Sequence, residues 1–477
     1  MSDDHSDESW RTLLRPATLP ALGVLLAGIL LHSMNVLLLA TIMPSIVADI
    51  RGEAMIVWPT TAYLASSIVA TTVSGRLTSA VGAARTFCWA AFAFALGGVV
   101  AASAPSMAQV IGGRFLQGLG GGLLSALTYV LARQTFPAAL MPRVLALLAS
   151  VWSVSALIGP LIGGAFATYL SWRGSFIAMA ALAAVVGLVA YRVLPANLGT
   201  GTNAPSMPLG LIALVSGAIA VMSLSAVVTD LTLKSLLVVV SIAAMALMVR
   251  LNARSSSPLL PTDAFTLNSA TGLGLWMTLL LSIAFSPINL YVPVLLQKLH
   301  GFSPIAAGYT VAGSALTWTL SALVTASWSR ANIDRLLVVA PLVIAAGLAA
   351  LAVSLPGGQA IASVAAVLLV GAGMGGTWSF VAQRVMERPR DGEGNVAASS
   401  VATIQQTAFG LGSALAGIVA NLAGFTIDSG RGGLLSTTAA VPLAFAAIAL
   451  VAALVGRRLA TVARSSSAPL AAGERTA

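Results

Sequence analysis

The sequence predicts an all-α polytopic membrane protein, and three observations carry that prediction. Of its 477 residues, 58% are hydrophobic and only 8% are charged, whereas a soluble domain carries about a quarter charged residues. Mean hydropathy is +0.96, and the apolar residues run on continuously toward the roughly 20 that a helix needs to cross about 30 Å of hydrocarbon. The apolar/polar alternation of a closed barrel is missing. The 14 acidic residues sit in the N-terminal tail, in short turns or near the C-terminus, never inside a long apolar run. A length that would allow about three soluble domains is therefore read as an array of membrane helices.

The runs follow in order, punctuated by basic residues. Arg11 and Arg15 precede the first, 19–46, which lacks a convincing cleavage site and is read as a retained span. Arg51 separates it from 55–78, Arg76 and Arg85 lead to 86–104, and a short turn leads to 107–132. Arg133 and Arg143 lie between that span and 144–170, while Arg173 and Arg192 flank 174–191. Spans 208–229 and 235–250 come next. The second of these is the weakest, because only fifteen residues separate Lys234 from Arg250. A re-entrant hairpin over 208–250, leaving twelve full spans instead of fourteen, is the alternative. Arg250 and Arg254 precede 267–297, Lys298 precedes 303–328, and Arg330 and Arg335 introduce 335–354. Span 360–383 ends at Arg384, 396–425 is followed by Arg431, and 433–456 ends at Arg457 and Arg458.

With the N-terminus in the cytoplasm, eighteen Lys and Arg residues fall inside and five outside, with Arg114 left within a span. The positive-inside rule then places both termini in the cytoplasm and the chain in the plasma (inner) membrane. The expected organisation is a cytoplasmic tail over 1–18, a six-helix bundle over 19–195, linkers and an inserted helix pair over 196–258, a second six-helix bundle over 259–458, and a tail over 459–477. Six, two and six helices describe two parallel halves with an insertion, a layout found in secondary transporters.

Several classes are excluded. One cysteine, Cys88, gives no internal disulfide and no thiolate zinc site, and three scattered histidines make no metal centre. The net charge of +10 comes from arginines strung between apolar segments, with no basic patch and interleaved aromatics, so nucleic acid is not a partner. No G-x-x-x-x-G-K-[ST] occurs, so ATP hydrolysis is not the drive. No cofactor is expected.

Four motifs carry the functional reading. The fourth span holds Arg114-Phe-Leu-Gln117-Gly118-Leu-Gly120-Gly121-Gly122, in which Arg114, Gln117, Gly118 and Gly121 share one helix face. A guanidinium this far into a bilayer is costly and should face the protein interior or a water-filled cavity; the bland reading is an arginine snorkelling outward. The fifth holds Ser155-Ala-Leu-Ile-Gly159-Pro160-Leu-Ile-Gly163-Gly164, whose proline removes a backbone donor and whose glycines permit close packing. Tyr291-Val-Pro293 through Gln297 and Gly301-Phe-Ser303-Pro304, then Gly392-Glu-Gly394 through Gln405-Gln406 and Gly410-Leu-Gly412, complete the set. In this order and on these spans they resemble the major facilitator superfamily, and within it the fourteen-span drug:proton antiporter branch. The resemblance covers nearly the whole chain. It implies the major facilitator fold: two six-helix bundles around a midplane cavity that opens alternately to each side.

The chain also departs from that pattern. Gly75-Arg76-Leu77-Thr-Ser79-Ala80-Val-Gly82-Ala-Ala-Arg85 resembles the superfamily's loop between the second and third spans. Ser79, however, stands where the family has an acid and Ala80 where it has a base, so the latch expected there is neutral. In the first span Asn35 lies nine residues before Pro44, where many members of the branch carry an aspartate. Asn35 can hydrogen-bond a substrate but cannot take up a proton, and no other span supplies a carboxylate. His32, three residues earlier on the same face, has an unperturbed pKa near 6.5 and is the candidate proton carrier, with Arg114 tuning it. A neutral histidine bonded between helices is the bland alternative.

Trp152, Trp276, Trp318 and Trp378 fall well inside spans five, nine, ten and twelve, which line the central cavity in the implied architecture. Asn35, Tyr63, Gln117, Tyr129 and Asn289 are the expected polar lining. Several indoles without a fixed anion suit amphipathic, weakly charged compounds. The expected function is therefore export of such compounds by a monomer in the lipid bilayer, driven by protons. An uncoupled facilitator of a lipid-like or metabolite substrate is the alternative, and a membrane-embedded enzyme a remote one.

Overall fold

In a computed structural model, the described residues are 13, 15–16, 18–51, 55, 58–194, 208–228, 230–387, 389–424 and 431–465. The first twelve residues, the linker over 195–207, Arg388 and the tail from 466 lie outside them, and of Pro160 and Gly164 only the helical backbone is described.

Each apolar run forms a helix. The fourteen long helices among the described residues are α1 (Leu19–Ile50), α2 (Trp58–Val81), α3 (Ala83–Ala102), α4 (Met107–Thr135), α5 (Met141–Tyr169), α6 (Trp172–Val193), α7 (Leu209–Val227), α8 (Leu231–Asn252), α9 (Ala270–His300), α10 (Pro304–Thr325), α11 (Arg330–Ser354), α12 (Ala360–Glu387), α13 (Gly394–Leu422) and α14 (Arg431–Ser465). Among the described residues, ten of these helices are long and apolar enough to cross a membrane; α2, α7, α10 and α13 are not among the ten. Of these, α2 turns Ser66, Ser67, Thr71, Thr72 and Ser74 inward, and α13 turns Ser399, Ser400 and Thr403 inward. The weak eighth run is helical over 22 residues, about 33 Å at 1.5 Å per residue, because helix formation continues past Lys234 and Arg250 at its two ends. Asp230 caps that helix through a 2.7 Å bond from Leu233 N.

The packing repeats itself. Among α1–α6, α4 lies against α2, α3 and α1, while α1 meets α5 and α3 meets α6. Among α9–α14 the same pairs recur in the same order: α12 against α10, α11 and α9, with α9 on α13 and α11 on α14. The close approaches repeat too. A Cβ on Gly118 or Gly122 of α4 would collide with the α2 backbone at Tyr63 or Ser67, and one on Gly371 or Gly375 of α12 with the α10 backbone at Ser314 or Trp318. Small residues at these crossings let the helix backbones touch. Arg114, one turn before Gly118, faces no counterpart charge: one turn before Gly371 stands Val367.

The α7–α8 pair is tied together by Ser241, which donates to Ala218 O at 2.7 Å. It lies outside both bundles, with α7 against α2 and α13 and α8 against α13. The pair thus covers the seam between α2 and α13, while the seam between α5 and α10 has no such cover.

Candidate functional site

Three helices build a buried polar cluster in the first bundle. α1 places His32 and Asn35 on one face, α2 brings Tyr63, and α4 brings Arg114, Gln117 and Gly121; all the side chains named are buried. Arg114 is 1% exposed, which rules out the snorkelling alternative. Its guanidinium donates to Asn35 Oδ1, to Gln117 Oε1 at 3.1 Å and, through Nε, to Pro59 O at 3.4 Å. It also stacks on the Tyr63 ring, 4.2 Å from the centroid, a cation–π contact. The Tyr63 hydroxyl lies 2.9 Å from His32 Nδ1, so one phenol links the histidine to the guanidinium. Gly121 makes room: a Cβ there would meet the Tyr63 hydroxyl and, at 3.2 Å, His32 Nδ1.

These residues contact one another more than they face a cavity. Gln117 is fully buried and turned toward α3, its Cγ 2.9 Å from where a Gly97 Cβ would stand and its Nε2 3.3 Å from a Gly98 Cβ. It is an interhelical residue, not a lining one, which corrects the sequence expectation. Trp152 provides the way out of the cluster. Its half-buried ring meets His32 edge-on at 5.8 Å.

A second group forms where the bundles meet. Trp318 stands between Phe285 and Trp378 in edge-to-face contacts at 5.3 and 5.9 Å. Phe409 tilts against Phe285 at 6.4 Å, and the Tyr129 hydroxyl of the first bundle bonds the Trp378 side chain. Asn289 is exposed on α9. Trp276 does not join this group. It stands two turns into α9, donates to Phe265 O at 2.7 Å and packs on the Phe265 ring, anchoring the segment before α9. Phe285 and Phe409 carried no signal in the sequence, since a phenylalanine in an apolar span is indistinguishable from core.

On α5, Ser155 shares a 2.6 Å bond with Ser33 of α1. Gly159 and Gly163 lie within 3.3 and 3.1 Å of Leu37 and Thr41 side chains, measured from a would-be Cβ. The α5 motif is thus the surface on which α1, bearer of His32 and Asn35, is seated.

Contacts between bundles run from mid-depth to the end that carries the basic turns. Ser67 donates to Gln406 at 2.7 Å, and Ser153 bonds Thr319 at 2.6 Å and Ala315 O. Nearer the end, Gly75 meets the α13 backbone, with Val396 Cα 2.8 Å from its would-be Cβ. Asn395 donates to Ser79 at 3.2 Å and accepts from Gln134 at 2.7 Å. Ser79 is thus tied to the second bundle by an amide. A carboxylate stands beside it: Arg76 donates to Pro258 O at 2.7 Å, Glu393 accepts from Thr262 N at 3.0 Å, and the Glu393 charge acts on Arg76. Gly82 has φ 90°, the left-handed turn into α3, and Arg85 is exposed. Away from that end, Leu157 on α5 is 39% exposed, Tyr309 on α10 is 52% exposed, and a Cβ on Gly308 or Gly410 would meet nothing within 4 Å.

The comparisons agree with this architecture. The family model of the Major Facilitator Superfamily matches residues 25–417. A probable multidrug-efflux transporter of Mycobacterium tuberculosis is 33% identical over 437 residues, covering 89% of this chain and 92% of its own. The multidrug efflux pump SdrM of Staphylococcus aureus is 25% identical over 279 residues, covering 58% of this chain and 62% of its own. Among solved structures, the human organic anion transporter MFSD10 superposes with a TM-score of 0.68 at 15% identity, over 93% of this chain and all of that one. The proton:xylose symporter XylE reaches 0.62 at 15% identity, over 91% and 94%.

Proposed function

This chain belongs to the Major Facilitator Superfamily, and from that membership we propose that it exports amphipathic, weakly charged compounds in exchange for protons. The observation that carries the proposal is the buried His32–Tyr63–Arg114 chain, with the Trp152 ring edge-on to His32. The names of the relatives support drug efflux, and the absence of a cavity carboxylate argues for substrates without strong positive charge.

The cycle follows from electrostatics. Neutral His32 lies beside a fixed guanidinium at no Coulombic cost. A proton on the imidazole sets two positive charges around the Tyr63 ring in a low-dielectric interior, where repulsion is strong. The proton is accommodated only if α1, α2 and α4 shift, and His32⁺ presses on the Trp152 ring that stands edge-on to it. Substrate and proton thereby exclude each other, as antiport requires. With the basic end in the cytoplasm, the bundles are closed inside and parted outside, the state in which substrate leaves and a proton enters.

The test is proton flux driven by an amphipathic dye in proteoliposomes. The wild type moves protons when dye is added, and His32→Ala reduces that flux at least about tenfold while dye still binds. Unaltered flux in His32→Ala removes the histidine from the mechanism. The missing carboxylate favours a second reading, an uncoupled facilitator. Extrusion that persists after a protonophore collapses the gradient would establish it.

A further inference from the structure

We propose that Trp318 is the specificity-determining donor of the substrate site, and that the preferred substrates are flat aromatic compounds carrying a hydrogen-bond acceptor such as a ring carbonyl. The inference deepens the export reading and rests on it. The Trp318 indole N–H is buried and has no hydrogen-bond partner among the described residues, and indole N–H groups normally find one when buried. The ring is half-buried where α9, α10 and α12 face the first bundle. Two aromatic edges flank it, Phe285 at 5.3 Å and Trp378 at 5.9 Å.

The same neighbourhood concentrates other orphans. Ser282, one turn from Phe285 on α9, and Thr377, adjacent to Trp378 on α12, each hold a buried hydroxyl without a partner. Trp378 differs, because its side chain bonds the Tyr129 hydroxyl. Trp318 is therefore the indole of this pair with an unspent donor. Aromatic walls, one free N–H and no anion within the group describe a slot for a planar ring that ends in an acceptor. Edge-to-face ring contacts are individually weak, so an entering carbonyl can displace one edge and take the N–H. Leaving the donor unpaired in the empty site and pairing it in the occupied one turns its desolvation penalty into selectivity.

The test is equilibrium binding of 9-fluorenone and fluorene, which differ only in a carbonyl against a methylene, to the full-length protein in lipid nanodiscs with empty discs as reference. The wild type is expected to bind fluorenone at least about fivefold more tightly than fluorene. Trp318→Phe keeps an aromatic ring and removes the N–H; it should abolish the preference by bringing fluorenone affinity down to that of fluorene. Trp89→Phe, at an exposed indole outside this group, should retain the preference. A wild type that does not discriminate, or a preference that survives Trp318→Phe, overturns the proposal. Nitrogen-15 indole spectra of the wild type give a reading that needs no folded Trp318 variant: one indole N–H signal should move downfield with fluorenone and none with fluorene, and that signal should persist in Trp89→Phe. The absence of any responding indole overturns the proposal equally. Because binding needs no gradient, failure here leaves the proton-coupled export reading standing, and failure of the flux experiment leaves this one standing.

Discussion

Arg114 is a buried charge held by dipoles instead of by a carboxylate. Asn35, Gln117 and the Pro59 carbonyl accept from it and the face of Tyr63 covers it. Breaking such a set by removing one acceptor leaves part of the charge unsolvated. Asn35→Ala should therefore lower stability by about 1–2 kcal/mol, read as a lower unfolding midpoint in detergent. Asn35→Asp, which supplies a carboxylate, should restore the midpoint and shift the transported compounds toward cations. A midpoint unmoved by Asn35→Ala would mean that the guanidinium does not depend on that amide. Helical spacing alone put His32 beside Asn35 and Arg114 beside Gln117, because positions three apart share a face. It could not give the Tyr63 link, which depends on how α2 rotates against α1 and α4. It also misjudged Gln117, whose side chain fills the space left by Gly97 and Gly98 of α3 instead of reaching a cavity.

At the level of helices, the closed end is a contact between α2 and α13 made possible by Gly75. A side chain there would meet Val396 Cα at 2.8 Å and Asn395 O at 3.0 Å, backbone atoms that cannot turn aside. Gly75→Leu should hold the basic end apart. Transport is then expected to fall at least about tenfold, a loss equivalent to roughly 1.4 kcal/mol. A cysteine at Ser399, in a Cys88→Ser background, should react faster with a maleimide added to inside-out vesicles. Wild-type reactivity at that cysteine in Gly75→Leu would show that the seam closes without this crossing. The sequence displayed the loss of the family's acid at Ser79 but not its replacements, since Asn395 and Glu393 reach this latch only through the fold. Most helix boundaries were legible to within a few residues because bilayer thickness and basic turns set them, but α14 runs on to Ser465, past the expected end at 456, and α11 begins at Arg330, ahead of the expected 335. The glycine crossings of α12 on α10 were overlooked, although Gly371 and Gly375 repeat the Gly118 and Gly122 pattern.

At the scale of the whole molecule, the end that carries the basic turns is held closed where Gly75 of α2 meets α13, and the opposite end carries few charges. One outer-end group illustrates the contrast: the Asp49 carboxyl, at the last turn of α1, is held below its usual range first by a hydrogen bond from Arg173 and then by the Trp172 N–H. Because its pKa is depressed, this tie between α1 and α6 persists above the ordinary carboxylate range and is lost only as pH falls through the lowered value, so a mildly acidic exterior leaves it intact. The orientation expected from the sequence rests on positive charge being retained on the cytoplasmic side, eighteen Lys and Arg residues falling on one side and five on the other. The fold adds sites at which that bias can be read. Gly308 and Gly410 have open space around a would-be Cβ, whereas one on Gly75 is enclosed by α13. In a Cys88→Ser background, Gly308→Cys and Gly410→Cys should label in intact cells with a membrane-impermeant maleimide, and Ser79→Cys should not. Adding the proposed substrate together with a collapsed proton gradient should slow the first two, because the population then leaves the state parted on the outside. Labelling of Ser79→Cys from outside, with Gly308→Cys silent, would invert the molecule in the membrane. The closed α2–α13 end would then face outward, and the direction of proposed transport would have to be argued from the opposite state.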